Sequence, residues 1–182
     1  MSDRPVPQQN LANSLADLVS ILPPSSQIPF LRAFWQTMQR EWTNIDVLRM
    51  EKFLLLTRRY LGASFRVLKK GKWEEEKVAE MLSVLGELPL NVGDMRVPNG
   101  LRFHVIDIYV DELERAGALE AGMVPLEDLL LPLRRLAKES PTKPVRTKAK
   151  EALEDERLPG NKKLEAEKES EEKEEVWGGI ED

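Results

Sequence analysis

Apolar residues recur at spacings of three and four along most of this chain, which is the spacing of an amphipathic α-helix. The stretch 102–110 alternates partly, as a strand would, but it continues into DELERAG without a turn signal. The pattern therefore predicts an all-α fold with six main helices. Their apolar positions are Leu11, Leu15, Leu18 and Leu22; Leu31, Phe34, Trp35, Met38 and Trp42; Val47, Met50, Leu54, Leu61, Phe65 and Leu68; Val78, Met81, Leu82 and Leu85; Leu101, Val105, Ile108, Tyr109 and Leu113; and Leu126, Leu129, Leu130, Leu133 and Leu136.

Proline, glycine and one short polar connection separate the first three predicted helices. Pro23-Pro24 ends the first helix, and Gly71 ends the third. The connection at 43–46 is tight, so the second and third helices are predicted to form an αα-hairpin. Asp46 is expected to be the N-cap of the third helix.

The later boundaries are set by the same residue types. Residues 86–100 hold three glycines and two prolines, which predicts a loop. Pro125 is expected to begin the sixth helix, because proline is tolerated in a first turn. Pro132 is expected to kink or split that helix, because it removes a backbone donor.

The order of these elements predicts an irregular antiparallel helical array over 1–140. Residues 141–158 are expected to form a short charged helix, at about 145–157. Residues 159–182 are acidic and nearly free of large apolar side chains, so they are expected to be a disordered tail. Trp177 in that tail is either incidental or part of a short docking motif.

The composition restricts the class of protein. Hydrophobic residues make up 41% of the chain, which is enough for a core. The absence of cysteine excludes disulfides, thiolate metal sites and cysteine nucleophiles, and it fits a reducing compartment. No apolar run approaches the roughly 20 residues that span a bilayer, and the N-terminus is too polar for a secretory signal. We therefore expect no membrane association.

Charge is unevenly placed along the chain. The net charge is −5, of which residues 141–182 carry −4 and residues 1–140 carry −1. A general nucleic-acid-binding polycation is thereby excluded. The stretch 58–72 holds six cations and no acid, interleaved with aromatics, and it either contacts an RNA backbone or complements a helix dipole. These cations are Arg58, Arg59, Arg66, Lys69, Lys70 and Lys72.

Residues suited to catalysis are scarce. His104 is the only histidine, so no Cys/His zinc cluster is possible, and its spacing from Asp107 is that of a packing pair on one helix face. The sequence contains no glycine-rich phosphate loop and no nucleophile elbow. We therefore predict a protein without enzymatic activity, cofactor or small-molecule substrate. Trp35 and Trp42, seven apart, are expected in the core, with partner docking as the alternative.

Three stretches resemble the eukaryotic nucleolar ribosomal RNA-processing protein 1 family. The first is MSDRPVPQQNLANSLADL, which contains a D-[KR]-P-x-x-Q-Q element. The second fits E-W-x-x-I-D-x-L-R-x-[DE]-K-[FY], and the third fits P-x-G-L-x-x-H-x-x-D-x-[YF]-x-x-E-L. The motif positions carried over are Trp42, Asp46, Arg49, Lys52, Phe53, His104, Asp107 and Tyr109.

The resemblance implies a HEAT-like helical array that acts as a non-catalytic scaffold in nucleolar assembly of the large ribosomal subunit. Its implied partners are pre-ribosomal particle proteins and pre-rRNA, and its implied location is the nucleolus. Family members carry further helices before the first element, so Leu11, Leu15 and their neighbours are expected to be incompletely packed here. The rival hypothesis is a cytoplasmic helical adaptor for a peptide partner, with an exposed Trp35 and Trp42 face.

Overall fold

The computed structural model describes residues 5–120, 122, 124–159 and 161. Within these residues the protein is all-α, as predicted, and contains no strand. The predictions for Asp3 and Arg4 in the first family element, for most of the acidic tail and for Trp177 lie outside the described residues. The helices are α1 (Pro5–Ile21), α2 (Pro24–Glu41), α3 (Met50–Lys70), α4 (Glu75–Glu87), α5 (Asn99–Arg115), α6 (Leu126–Glu139) and α7 (Lys143–Leu153).

The central element is α3, which packs against α1 on one side and α5 on the other. Its buried residues include Leu61, Phe65 and Leu68, as the apolar pattern predicted. Gly62 faces α5 so closely that a Cβ there would lie 2.5 Å from the Glu112 carboxylate. The glycine therefore sets the distance between the two helices.

The predicted αα-hairpin is present, but its connection is longer than expected. Two 3-10 turns, Trp42–Asn44 and Val47–Arg49, join α2 to α3. The Asp46 carboxylate accepts a hydrogen bond from the Leu48 backbone N–H at 2.8 Å, so Asp46 caps the second turn and not α3 itself. The prediction that Val47 lies on the buried face of the third helix is wrong, because Val47 belongs to this turn and is 84% exposed.

The core position of the two tryptophans is confirmed, since Trp35 is 0% and Trp42 is 6% exposed. Phe34 stacks on Tyr60 with ring centroids 3.6 Å apart, which joins α2 to α3. Trp42 lies against Gly100, where a Cβ would approach the indole Nε1 to 2.9 Å. This contact brings the start of α5 against the end of α2.

The buried face of α1 differs from the predicted leucine stripe. Leu11 and Leu18 are 60% and 44% exposed, while Ala12, Ala16 and Val19 are buried. Small side chains let α1 approach α3 closely enough for the Tyr60 hydroxyl to donate to a carbonyl of α1 at 3.1 Å. The leucine-face prediction is therefore wrong for Leu11 and Leu18. Leu15 is partly buried against the core.

The loop between α4 and α5 is fastened by a buried arginine that the sequence analysis did not identify. Arg102 is 2% exposed and donates to the carbonyls of Asn91 and Asp94 at 2.9 and 3.1 Å, and to Asn99 Oδ1 at 2.8 Å. Burial lowers the pKa of its guanidinium, although the Asp94 charge opposes this. The loop at 88–98 is thereby held as one ordered segment.

The last two helices form an antiparallel pair that packs on the rest of the array. α6 is continuous through the buried Pro132, so the predicted split does not occur, and it begins at Leu126 with Pro125 as its N-cap. α7 begins two residues earlier than predicted and ends four residues earlier. Val145 and Ala149 of α7 are fully buried, and α7 contacts both α5 and α6.

Candidate partner and nucleic-acid surfaces

Arg58, one of the six cations predicted to face RNA or a partner, lies in an internal ion-pair network. Its Nε donates to Glu112 Oε1 and its terminal nitrogen to Asp111 Oδ2, both at 2.7 Å. Glu112 is nearly buried, so this pair is shielded from solvent. Although burial lowers the pKa of the Arg58 guanidinium, the bonds to Glu112 and Asp111 raise it above its usual value. The charge of Arg58 is therefore compensated inside the fold.

Arg157 completes this network from the segment that follows α7. It donates to Asp111 at 2.9 Å, to Glu114 at 2.8 Å and to Asp155 at 2.7 Å. Burial raises the pKa of Asp111, but the bonds from Arg157 and Arg58 outweigh it, and the pKa lies below its ordinary value. The network joins α3, α5 and the C-terminal turn, over more than 40 residues of sequence separation.

The other five cations divide by exposure. Arg59 is half-buried, and its Nε is buried without a hydrogen-bond partner in the described structure. The remaining four are exposed, and we call them the α3 basic cluster. Its members are Arg66, Lys69, Lys70 and Lys72.

The α3 basic cluster has few close ion partners, although Lys69 Nζ and the Glu120 carboxylate both lie within 3.5 Å of the position that a Cβ on Gly117 would take. Its closest ion pair joins Arg66 to Asp17 at 3.7 Å, across a solvent-exposed gap. Lys69, Lys70 and Lys72 form no ion pair with any residue that the structure describes. The acidic run at 74–76 follows directly in sequence and is exposed, and Glu74 pairs with Lys77 at 2.6 Å.

The aromatic residues near this cluster are not free for stacking on bases. Tyr60 and Phe65 are buried in the core. Lys72 and Trp73 have positive φ values of 54° and 58°, a conformation that non-glycine residues rarely adopt. This turn places the half-buried Trp73 at the edge of a groove of about 680 Å³ between α4 and α6, which Leu82 and Leu131 also line.

The family-motif positions in the α2–α3 connection have mixed environments. Trp42 is in the core, Asp46 caps the turn, and Phe53 is partly buried against the core. Arg49 is exposed and Lys52 is half-buried. Most of this motif therefore builds the connection.

The motif positions on α5 are structural. The Nε2–H of His104 donates to the Leu54 carbonyl of α3 at 2.9 Å, and Asp107 pairs with Lys148 of α7 at 2.6 Å. The buried Tyr109 hydroxyl donates to the Leu129 carbonyl of α6 at 2.8 Å. These three side chains thereby join α5 to three other helices, and His104 and Asp107 bind different partners.

Acidification is expected to lower stability through His104. Burial lowers the pKa of this imidazole below its ordinary 6.5, against smaller effects of the Leu54 carbonyl and Asp107 that raise it. As the pH falls below about 6.5, His104 becomes protonated in the unfolded chain but stays neutral in the folded chain. The free energy of unfolding therefore decreases between pH 6.5 and the lower folded-state pKa, by at most about 1.4 kcal/mol per pH unit.

Urea unfolding of the wild type and of His104→Gln at pH about 7, 6 and 5 measures this effect. Glutamine keeps an N–H donor but does not titrate, so the variant should lose less stability over this range. The lowered pKa values of Asp94, Asp111 and Asp155 act at lower pH, below the ordinary 3.8 of these carboxyls. Equal losses in both proteins would show that His104 contributes nothing.

Two exposed apolar surfaces were not predicted as functional. Val47 and Leu48 project from the capped turn before α3, and Leu48 is 89% exposed. On α1, Val6, Leu11, Leu18 and Ile21 are exposed, within one broad arc of the helix. The pattern analysis assigned Val47, Leu11 and Leu18 to the core because it treated every periodic apolar residue as buried.

The described residues offer neither a metal-ion site nor a membrane-spanning helix. Over residues 5–120, 122, 124–159 and 161, no three histidine, aspartate or glutamate side chains are grouped so that they could hold a metal ion. In the same residues, none of the helices has the length and apolar character needed to cross a bilayer.

Comparison with known proteins adds the family. The family model described as nucleolar protein, Nop52, matches residues 1–181. Ribosomal RNA processing protein 1 homolog B of Homo sapiens is 46% identical over 121 residues, covering 66% of this chain and 16% of that protein. Homolog A of Homo sapiens is 42% identical over 121 residues, covering 66% of this chain and 26% of that protein. The Drosophila melanogaster homolog is 34% identical over 133 residues, covering 68% of this chain and 18% of that protein.

The chain spans less than a third of the length of these relatives. The family match, by contrast, covers nearly all of the chain, and it agrees with the three motif-bearing stretches identified in the sequence. The resemblance to the ribosomal RNA-processing protein 1 family is thus confirmed, and its members are nucleolar proteins. The chain belongs to the Nop52 family of nucleolar proteins.

Proposed function

We propose that this chain is a non-catalytic scaffold in nucleolar assembly of the large ribosomal subunit, where it supports pre-rRNA processing. The part of this proposal that concerns rRNA processing is supported by the relatives named ribosomal RNA processing protein 1 homologs. The scaffold role is supported by the architecture, in which buried motif residues join rigid helices and leave defined surfaces exposed. Its partners would be proteins of the pre-ribosomal particle and pre-rRNA.

The observation that carries this proposal is the apolar pair Val47 and Leu48. Large apolar side chains that are 84% and 89% exposed gain nothing for the isolated fold. The Asp46 cap holds their turn in one conformation, so little ordering would be required on binding. A fixed, protruding apolar pair is suited to a pocket on another protein, in keeping with a scaffold held mainly by protein contacts.

The α3 basic cluster is the proposed RNA-facing surface of the scaffold. Lys69, Lys70 and Lys72 lack ion pairs in the described structure, so their charge is available to phosphate groups. Arg58 is left out of this contact because Asp111 and Glu112 already bind it. Arg59 is half-buried, so it would contribute less than these lysines to phosphate binding.

Sedimentation of the tagged chain in a nuclear extract tests the scaffold role. We expect ribonuclease-sensitive migration with large pre-ribosomal particles. Val47→Asp/Leu48→Asp should lower the affinity for the particle at least about fivefold, because truncating an interface anchor costs 1 kcal/mol or more, and the particle-bound fraction should fall accordingly. The matched control is Gln36→Asp/Thr43→Asp, which adds the same charge at exposed polar positions nearby.

Charge reversal of Arg66, Lys69 and Lys70 tests the RNA-facing surface separately. Unchanged particle association in that variant would contradict the assignment. Migration of the wild type as a small species that ribonuclease does not affect would contradict the scaffold role itself. An exposed Trp35 and Trp42 face would have favoured the adaptor hypothesis, but both side chains are buried.

A further inference from the structure

The α6–α7 hairpin carries a second concentration of positive charge, separate from the α3 basic cluster. Residues 134–150 contain seven lysines and arginines and a single acid, Glu139. The sequence predicted only a short charged helix at about 145–157 for the second half of this region. The seven cations are Arg134, Arg135, Lys138, Lys143, Arg146, Lys148 and Lys150.

Three of these cations have carboxylate partners. Arg134 donates to Glu127 at 2.7 Å, Arg135 lies 3.8 Å from Glu139, and Lys148 pairs with Asp107 at 2.6 Å. The other four form no ion pair with any carboxylate in the described part of the chain, and we call them the α6–α7 cationic surface. It consists of Lys138, Lys143, Arg146 and Lys150.

Arg146 holds this surface in place without losing its charge. Its Nη1 donates to the backbone carbonyls of Ser140 and Pro141, at 2.7 and 3.2 Å, which fixes the turn between α6 and α7. Carbonyl oxygens carry no formal charge, so the guanidinium remains a net cation. The turn that presents Lys138 and Lys143 is thus rigid.

The position of two cations is unfavourable for α7 itself. Lys143 and Arg146 lie in its first turn, where the helix dipole is positive and no acid is present. A cation there costs about 0.3–1 kcal/mol relative to a position that suits the dipole. Helix stability alone would favour aspartate or glutamate. The bonds of Arg146 to the turn account for that residue, whereas no contact in the described structure accounts for Lys143.

The exposed face of α7 forms a linear array. Val145 and Ala149 point into the core, whereas Lys143, Thr147 and Lys150 recur at the spacing of one helix face and are exposed. The two lysines are about 10 Å apart along the helix axis. Both lysines can therefore contact one extended polyanion at the same time.

The chemistry of the surroundings separates nucleic acid from protein as the partner. Residues 134–150 contain no aromatic residue, and their large apolar side chains are buried. Protein interfaces are depleted in lysine and depend on apolar or aromatic anchors, which this surface lacks. Phosphate contacts need only accessible cations. We infer that the α6–α7 cationic surface is a second RNA-binding surface, which contacts the sugar-phosphate backbone without reading sequence.

Fluorescence anisotropy with a labelled single-stranded RNA of about 20 nucleotides tests this inference on the full chain, with the salt concentration varied from about 50 to 200 mM. For Lys143→Glu/Lys150→Glu we expect about tenfold weaker binding at low salt. The slope of log affinity against log salt should fall by about 1.4, for two lost phosphate contacts. Circular dichroism should show an unchanged fold, since both residues are exposed.

Two variants with the same change in net charge serve as controls. Arg40→Glu/Arg49→Glu alters exposed residues at the opposite end of the sequence and should retain binding. Lys69→Glu/Lys70→Glu reports on the α3 basic cluster, so failure of that proposal is distinguishable from failure of this one. If Arg40→Glu/Arg49→Glu weakened RNA binding equally, the effect would depend on net charge and not on position, which would overturn the inference. Unchanged RNA affinity combined with lost particle association would also overturn it, in favour of an acidic protein partner.

Discussion

Replacing Trp35 by alanine is expected to destabilise the fold by about 4 kcal/mol. Trp35 is fully buried in α2, in edge-to-face contact with Phe34, whose ring stacks in turn on Tyr60 of α3. Deleting the indole removes these contacts and leaves a cavity that rigid helices cannot close. Because small domains are stable by only about 5–15 kcal/mol, the variant should keep about 1–11 kcal/mol and unfold at a markedly lower urea concentration.

Urea unfolding followed by circular dichroism measures this loss. Trp35→Phe is the informative companion, because the indole N–H has no hydrogen-bond partner in the structure. Phenylalanine keeps an aromatic ring and removes that unpaired donor, so it should cost much less than alanine. Leu48→Ala, at an exposed position, should stay within about 0.5 kcal/mol of the wild type. A Trp35→Ala loss as small as that of Leu48→Ala would show that α2 is not packed as described.

Replacing Arg58 by methionine is expected to cost about 2–3 kcal/mol, less than for a fully buried ion pair because the arginine is partly exposed. The substitution keeps the aliphatic stem but leaves the nearly buried Glu112 with only Arg115, at 3.5 Å. Asp111 keeps its bond to Arg157. The loss should therefore come mainly from the uncompensated charge of Glu112.

Arg40→Met is the matched control, because Arg40 is a largely exposed arginine that also pairs with a glutamate, Glu41. It should change stability by less than about 1 kcal/mol. The same proteins can be compared for RNA affinity by anisotropy. If the Arg58→Met protein had wild-type stability but bound RNA more weakly, Arg58 would belong to the RNA-facing surface, and its internal role would be contradicted.

Local sequence predicted the helices well because each one has its own apolar period and a proline or glycine at its boundary. Sequence also placed Trp35, Leu61 and Phe65 in the core correctly. It failed for Leu11 and Val47, since periodicity shows that a residue can be buried but does not show whether another element covers it. On α1 the small residues Ala12 and Ala16 form the contact with α3. The more hydrophobic leucines on the same helix led to the wrong face being predicted as buried.

The candidate surfaces were less predictable than the helices. Charge counting grouped Arg58 with Lys69 and Lys70, but the acids that bind Arg58 lie more than 50 residues away. The role of Arg102 was missed for a different reason, because its carbonyl partners lie only 8 and 11 residues away but are backbone groups that no side-chain pattern marks. Pairings between distant segments depend on the tertiary fold, which a pattern within one segment does not contain.

The contact between Trp42 and Gly100 couples two stretches of sequence that look independent. A methyl group at position 100 would lie 2.9 Å from the indole nitrogen, too close unless the tryptophan moves. The effects of substitutions at the two positions should therefore not add, and a side chain at 100 becomes acceptable only with a smaller residue at 42. Trp42 belongs to the second motif and Gly100 to the third, so a larger side chain at position 100 is expected to require a compensating change at position 42.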